Sequence, residues 1–64
     1  MENEVTNLLK NMAEQFHEAT HDATKFESGN NSAGTRVRKA MQNIKNLAQQ
    51  VRLEVQSQKN SVTA

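Results

Sequence analysis

Apolar residues recur at alternating intervals of three and four in both halves of the chain, and this spacing limits the possible folds more than any other feature. In the first half, the residues with this spacing are Val5, Leu9, Met12, Phe16, Ala19, Ala23 and Phe26. In the second half, they are Val37, Met41, Ile44, Ala48, Val51 and Val55. Such residues form the a and d positions of a heptad repeat on one stripe of an α-helix. The pattern predicts two helices, about 2–27 and 32–58, and a frayed tail over 59–64.

The segment between the two repeats carries the only glycines of a chain of 64 residues that has no proline. Gly29 is suited to end the first helix, and Asn30, Asn31 or Ser32 to cap the second. A turn over 28–31 is short enough to force the helices into an antiparallel hairpin. We therefore predict one all-α domain over 1–64, with Phe26 opposite Val37.

A further apolar row borders this repeat at heptad position g. Its members are Leu8, Ala33, Ala40 and Leu47. A hairpin of this size buries little surface by itself, so an apolar row along one flank favours association with a second copy. The sequence predicts a homodimer, a four-helix bundle or coiled coil, with this row as its interface. Leu53, at position f, is not explained by the pattern.

Charge is divided unequally between the two halves. Residues 1–32 hold six acids and two bases, a net −4, whereas residues 33–64 hold six bases and one acid, a net +5. Four of these bases recur every seven residues at position e, and we call them the basic row: Arg38, Lys45, Arg52 and Lys59. At ~1.5 Å rise per residue they form a straight stripe with steps of ~10 Å. Aligned cations suit a phosphate backbone.

The candidate phosphate-binding residues are Arg36, Arg38, Lys39, Lys45 and Arg52. The first three also lie near the amino end of the second helix, where free amide hydrogens attract anions. The alternative interpretation is a solvated basic face, or pairing with acids of the second copy. Spacing alone does not decide between them.

Most chemistry other than binding is disfavoured by the composition. The absence of cysteine excludes disulfides and thiolate metal sites. His17 and His21 stand four residues apart beside Glu14 and Glu18, but no third ligand follows, so we predict no metal site. We also expect no catalytic residues, no cofactor, no small-molecule substrate and no membrane contact. A soluble cytoplasmic protein is the expectation.

The segment "GNNSAGTRVRKAMQNIKNLAQQVRLEVQSQ" resembles the conserved part of bacterial linker-histone-like proteins of the chlamydial histone-like type. The likeness covers about residues 25–58. Its specific part is Gly29, Asn30, Ala33, Gly34, Thr35, Arg36, Arg38 and Lys39. The resemblance implies DNA binding and nucleoid compaction. Chlamydial members carry a long lysine-rich tail, whereas this sequence ends "QKNSVTA", so the expected DNA binding is weak and salt-sensitive.

Two hypotheses for function follow from these observations. The first is a histone-like, nucleoid-associated homodimer that binds double-stranded DNA without sequence preference through the second helix. The second is a structural helical module that docks a partner protein or assembles with itself. Salt dependence separates them, because phosphate contacts weaken with added salt and apolar contacts do not.

Overall fold

The chain forms an antiparallel hairpin of two α-helices, as predicted. A computed structural model describes residues 3–62, and the side chains of residues 3–60. Helix α1 comprises Glu4–Glu27 and helix α2 comprises Asn31–Val62. The tail predicted to fray from residue 59 is helical as far as Val62, because neither glycine nor proline follows Gly34 to end the helix. Residues 63–64 lie outside the described part of the chain.

Three residues, 28–30, connect the helices and close both helix ends. Gly29 has a φ of 109°, a left-handed conformation that suits glycine. The Gly29 amide donates to the Phe26 carbonyl (2.9 Å) and the Asn30 amide donates to the Lys25 carbonyl (3.0 Å), which is a Schellman ending. Asn30 then caps α2, since its Oδ1 accepts a hydrogen bond of 3.2 Å from the Ala33 amide. Of the three predicted caps, the structure uses Asn30.

The contact between the helices uses the d and g rows rather than the predicted a and d rows. Ala19 and Ile44, both at d, are buried, and Ala33, at g, is 0% exposed. The g residues Leu8, Ala40 and Leu47 are half-buried. Alanines at the contact let the two helices approach closely, which large a residues such as Phe16 would prevent. The residues predicted to contact a second copy therefore face the other helix of the same chain, and Ala33 has no free surface to offer.

The rotation of both helices exposes large apolar side chains that the sequence had placed in the core. Phe16 is 50% exposed and Leu9 is 51% exposed. We call this surface the apolar flank: Leu9, Phe16, Phe26, Met41 and Val55. All of these except Phe26 are at position a, and in an antiparallel pair the a rows of both helices lie on the same side. Phe26, at d, joins this surface because its ring lies over Gly34, which is at position a of α2. The exposed Leu53, at f, lies on the other side of α2.

The register differs from the predicted one by about one helical turn. Phe26 lies over Gly34 rather than Val37, and a Cβ atom added to Gly34 would lie 2.6 Å from the Phe26 ring. The predicted pairing of Phe26 with Val37 implies a turn centred near residue 31. The turn of the structure centres on Gly29, so each residue of α1 lies opposite an earlier residue of α2. Gly34 is thus required for the close approach of the Phe26 ring.

We predict that Gly29→Ala lowers the free energy of unfolding by about 1 kcal/mol, because alanine is strained at this φ. No atom lies within 4 Å of the added methyl group, so the loss would report backbone strain alone. Chemical denaturation followed by circular dichroism measures it. Asn31→Ala, at an exposed neighbouring position, is the control and should change stability much less. Equal losses in both variants would contradict the assignment of strain to Gly29.

Candidate nucleic-acid interface

The basic row runs along the exposed side of α2. Arg38, Lys45 and Arg52 are all exposed and recur every seven residues of one unbroken helix. Each step of the row is therefore ~10 Å along a straight axis. The helix keeps these cations in a fixed order along the axis while their long side chains remain free to adapt. This arrangement suits a run of phosphates rather than a single anion.

Only one of the five candidate phosphate-binding residues is engaged in an ion pair among the residues that the structure describes. Arg36 Nε, on α2, donates a hydrogen bond to Asp22 Oδ1, on α1, at 3.0 Å. Within residues 3–60, the other candidates make no ion pair: Arg38, Lys39, Lys45 and Arg52. Within the described residues, the acids of α1 thus neutralise one cation of the candidate set and leave Arg38, Lys45 and Arg52 available.

The five candidates divide between two sides of the hairpin. Arg38, Lys45 and Arg52, at position e, border the apolar flank. Arg36, at c, lies on the opposite side, and Lys39, at f, shares a shallow groove there with Asp22 and Glu18. In the predicted a–d contact between the helices, the apolar row at g and the basic row at e would lie on opposite edges of the hairpin. The structure places the apolar flank and the basic row side by side, because the a row beside the basic row faces outward.

The amino end of α2 adds donors near the first residue of the basic row. Its first turn contains no acid. Arg38 lines a shallow groove there with Asn31, Gly34 and Phe26. The Asn30 side chain already accepts one of the free amide hydrogens. The remaining amides and Arg38 favour an anion at this end of the helix.

The histidine pair lies away from this surface, on exposed positions of α1. The rings of His17 and His21 meet edge to face with their centroids 4.8 Å apart. Within the described residues, no group of three or more histidine, cysteine, aspartate or glutamate side chains is arranged to hold a metal ion. Within the same part of the chain, neither helix has a stretch that is apolar enough to span a bilayer.

Comparison with known proteins identifies the family. A family model described as histone H1-like protein Hc1 matches residues 6–61. The chain belongs to this family. Neither the curated proteins nor the solved structures gave a match. The matched range covers nearly all of both helices, so membership in the histone H1-like family concerns the whole hairpin and not only the segment around Gly29.

Family membership supports a histone-like DNA-binding protein rather than an enzyme. It also agrees with the resemblance seen in the segment around Gly29 and Arg36. The sequence interpretation missed the Asp22–Arg36 pair, although a signal was present. A register centred on Gly29 places these two residues opposite each other, whereas a register centred on residue 31 does not.

We predict that Asp22→Asn strengthens DNA binding by this histone H1-like protein. The change releases Arg36 for a phosphate, and partly exposed ion pairs of this kind are weak, so the gain should be on the order of a few-fold. The salt dependence, as a log–log slope, should steepen by about 0.9. Glu18→Gln is the matched control: it removes the same charge from the same groove but releases no arginine. Equal effects of both variants would contradict a specific role for the pair.

Proposed function

We propose that this protein binds double-stranded DNA without sequence preference, through phosphate contacts made by α2. Arg38, Lys45 and Arg52 would follow the backbone, and Arg36 and Lys39 would add contacts near the amino end of the helix. The observation that carries the proposal is the exposure of Arg38, Lys45 and Arg52, which make no ion pair with a carboxylate within the described residues. Membership in the histone H1-like family supports the same conclusion.

Phosphate contact accounts for affinity in this proposal. Each neutralised phosphate releases condensed counterions, so binding falls with salt by a log–log slope of about 0.9 per contact. Four contacts, from the candidates other than the paired Arg36, would give a slope of about 3.6 in duplex DNA, and release of Arg36 from Asp22 would add the fifth. Long, separate cations with ~10 Å steps position a protein on the backbone but do not match the donors and acceptors of one base pair. Binding should therefore be similar for duplexes of unrelated sequence.

The proposed cellular role is a nucleoid-associated protein that acts as a homodimer in organising the chromosome. The alternative, a structural module that docks a partner protein, draws support from the apolar flank. The two roles differ in their response to salt, because apolar contact does not release counterions. A titration with duplex DNA at two ionic strengths distinguishes them.

We predict that Lys45→Gln with Arg52→Gln weakens binding to every duplex sequence and lowers the salt slope by about 1.8, the loss of two phosphate contacts. Both residues are exposed and make no ion pair within the described residues, so the helicity should not change. Fluorescence anisotropy with labelled duplexes across a salt series measures affinity and slope together.

The control removes one positive charge from a surface outside the basic row. Lys10→Gln lies on an exposed position of α1 and should reduce affinity only slightly. If the salt slope falls by the same amount per charge removed in the Lys10 variant and in the Lys45 and Arg52 variant, net charge rather than the basic row determines binding. If the unaltered protein fails to bind duplex DNA at low salt, the proposed function is wrong.

A further inference from the structure

The apolar flank is too extensive for a side of the hairpin that faces only water. It consists of five large side chains, each between 36% and 51% exposed. Two of them are phenylalanines. Phenylalanine, tyrosine and tryptophan are enriched at protein interfaces, and these two phenylalanines are the only residues of those three types in the chain. The opposite side of the hairpin is polar and carries the Asp22–Arg36 pair. Only one side is therefore built to contact another apolar surface.

The hairpin gains little stability from its own core. Among the residues whose side chains are described, the buried apolar residues are Ala19, Ala33 and Ile44. Chains of this size usually need a further source of stability, such as oligomerisation. The hairpin measures 54 by 19 Å across its broad side. A side of that extent offers roughly 1,000 Å², and a stable interface buries about 800 Å² of each partner.

We infer that a second copy of this chain covers the apolar flank, giving a four-helix bundle. The flank is suited to its own copy because the a rows of both helices contribute to it. A two-fold axis parallel to the helices would bring the a row of α1 onto the a row of α2 from the other copy. Phe16 lies near the middle of α1 and Met41 in the first half of α2, so large side chains from both helices enter the interface.

Charge determines which helices meet in this dimer. On α2 the flank is bordered by the basic row, whereas on α1 position e is occupied by Thr6, Ala13, Thr20 and Glu27. Stacking α2 on α2 of the second copy would bring two basic rows together, with a repulsion that costs stability. Stacking α2 on α1 brings each basic row beside uncharged residues and one acid. The second arrangement is therefore the one we propose.

This arrangement places the two basic rows on opposite edges of the bundle. Each row would remain exposed, because covering the flank buries position a and leaves position e at the border. If the rows bind DNA, a consequence that rests on the proposed function, one dimer has two separate surfaces for two duplexes. The interface differs from the one predicted from the sequence, since the g row lies between the helices of a single chain.

Sedimentation equilibrium in the absence of DNA tests the inference independently of DNA binding. The unaltered chain should sediment as a dimer, and its thermal midpoint should rise with protein concentration. Phe16→Glu with Met41→Glu should weaken the dimer at least ~100-fold, because each copy would bury two unpaired charges. The matched control is Leu53→Glu, which changes a leucine that is 59% exposed on the other side of α2 and should leave the dimer intact.

Engineered cysteines test the arrangement, since the chain contains no cysteine. Ala13→Cys protein mixed with Lys45→Cys protein should form a disulfide-linked dimer, because these positions lie at the same height on facing e rows. Lys45→Cys alone should not cross-link, whereas its cross-linking would indicate stacking of α2 on α2 and overturn the orientation.

A chain that sediments as a monomer, with a thermal midpoint independent of concentration, would overturn the inference altogether. If the Phe16 and Met41 variant of such a monomer also lost DNA binding, the flank would be assigned to DNA. Loss of the dimer in the Leu53 control to the same extent would likewise exclude a specific role for the apolar flank. The sedimentation and cross-linking outcomes do not depend on whether the basic row binds phosphate.

Discussion

The rest of this structure depends on the close contact of small residues between the two helices. Ala33 is fully enclosed and Ala19 lies buried on the facing helix. Because alanine occupies little space, the helices pack through their d and g rows, and this choice sets the rotation of each helix about its axis. Every other surface of the hairpin follows from that rotation. A larger residue at Ala33 would force the helices apart or turn them.

The rotation produces two unlike sides. One carries the apolar flank with the basic row along its border, and the other carries polar residues and the Asp22–Arg36 ion pair. A surface that combines exposed aromatic residues with adjacent cations serves two kinds of contact at once. Apolar residues favour another protein surface, while the cations beside them favour a polyanion. The apolar flank and the basic row thus lie side by side, and neither covers the other.

The division of charge along the chain has a structural counterpart. The acids of α1 lie mainly away from the basic row, on the polar side or the outer face of the helix. Asp22 pairs with Arg36 of α2, whereas Arg38, Lys45 and Arg52 of the basic row make no ion pair within the described residues. A protein with a net charge of only +1 can in this way present a cationic edge. Membership in the histone H1-like family supports DNA as the ligand for this edge.

The candidate site was partly predictable because exposure on an isolated helix depends on spacing alone. Arg38, Lys45 and Arg52 are seven residues apart, so their alignment and exposure on one stripe follow from the geometry of α2. The Asp22–Arg36 pair depends on the register between the helices. A shift of the turn centre by two residues changes that register by about one helical turn. Single-helix periodicity carries no information about that shift.

By itself, the sequence determined the two helices, the helix end at Gly29 and the antiparallel hairpin, because each depends on residues that are neighbours along the chain; it left the cap of α2 open among three residues. Only the tertiary structure decided which rows meet. The d row belongs equally to an a–d seam and to a d–g seam, and both have the same spacing of three and four. The close approach of the helices decides between the two contacts, because alanine side chains fit between the helices whereas the larger Phe16 side chain remains outside.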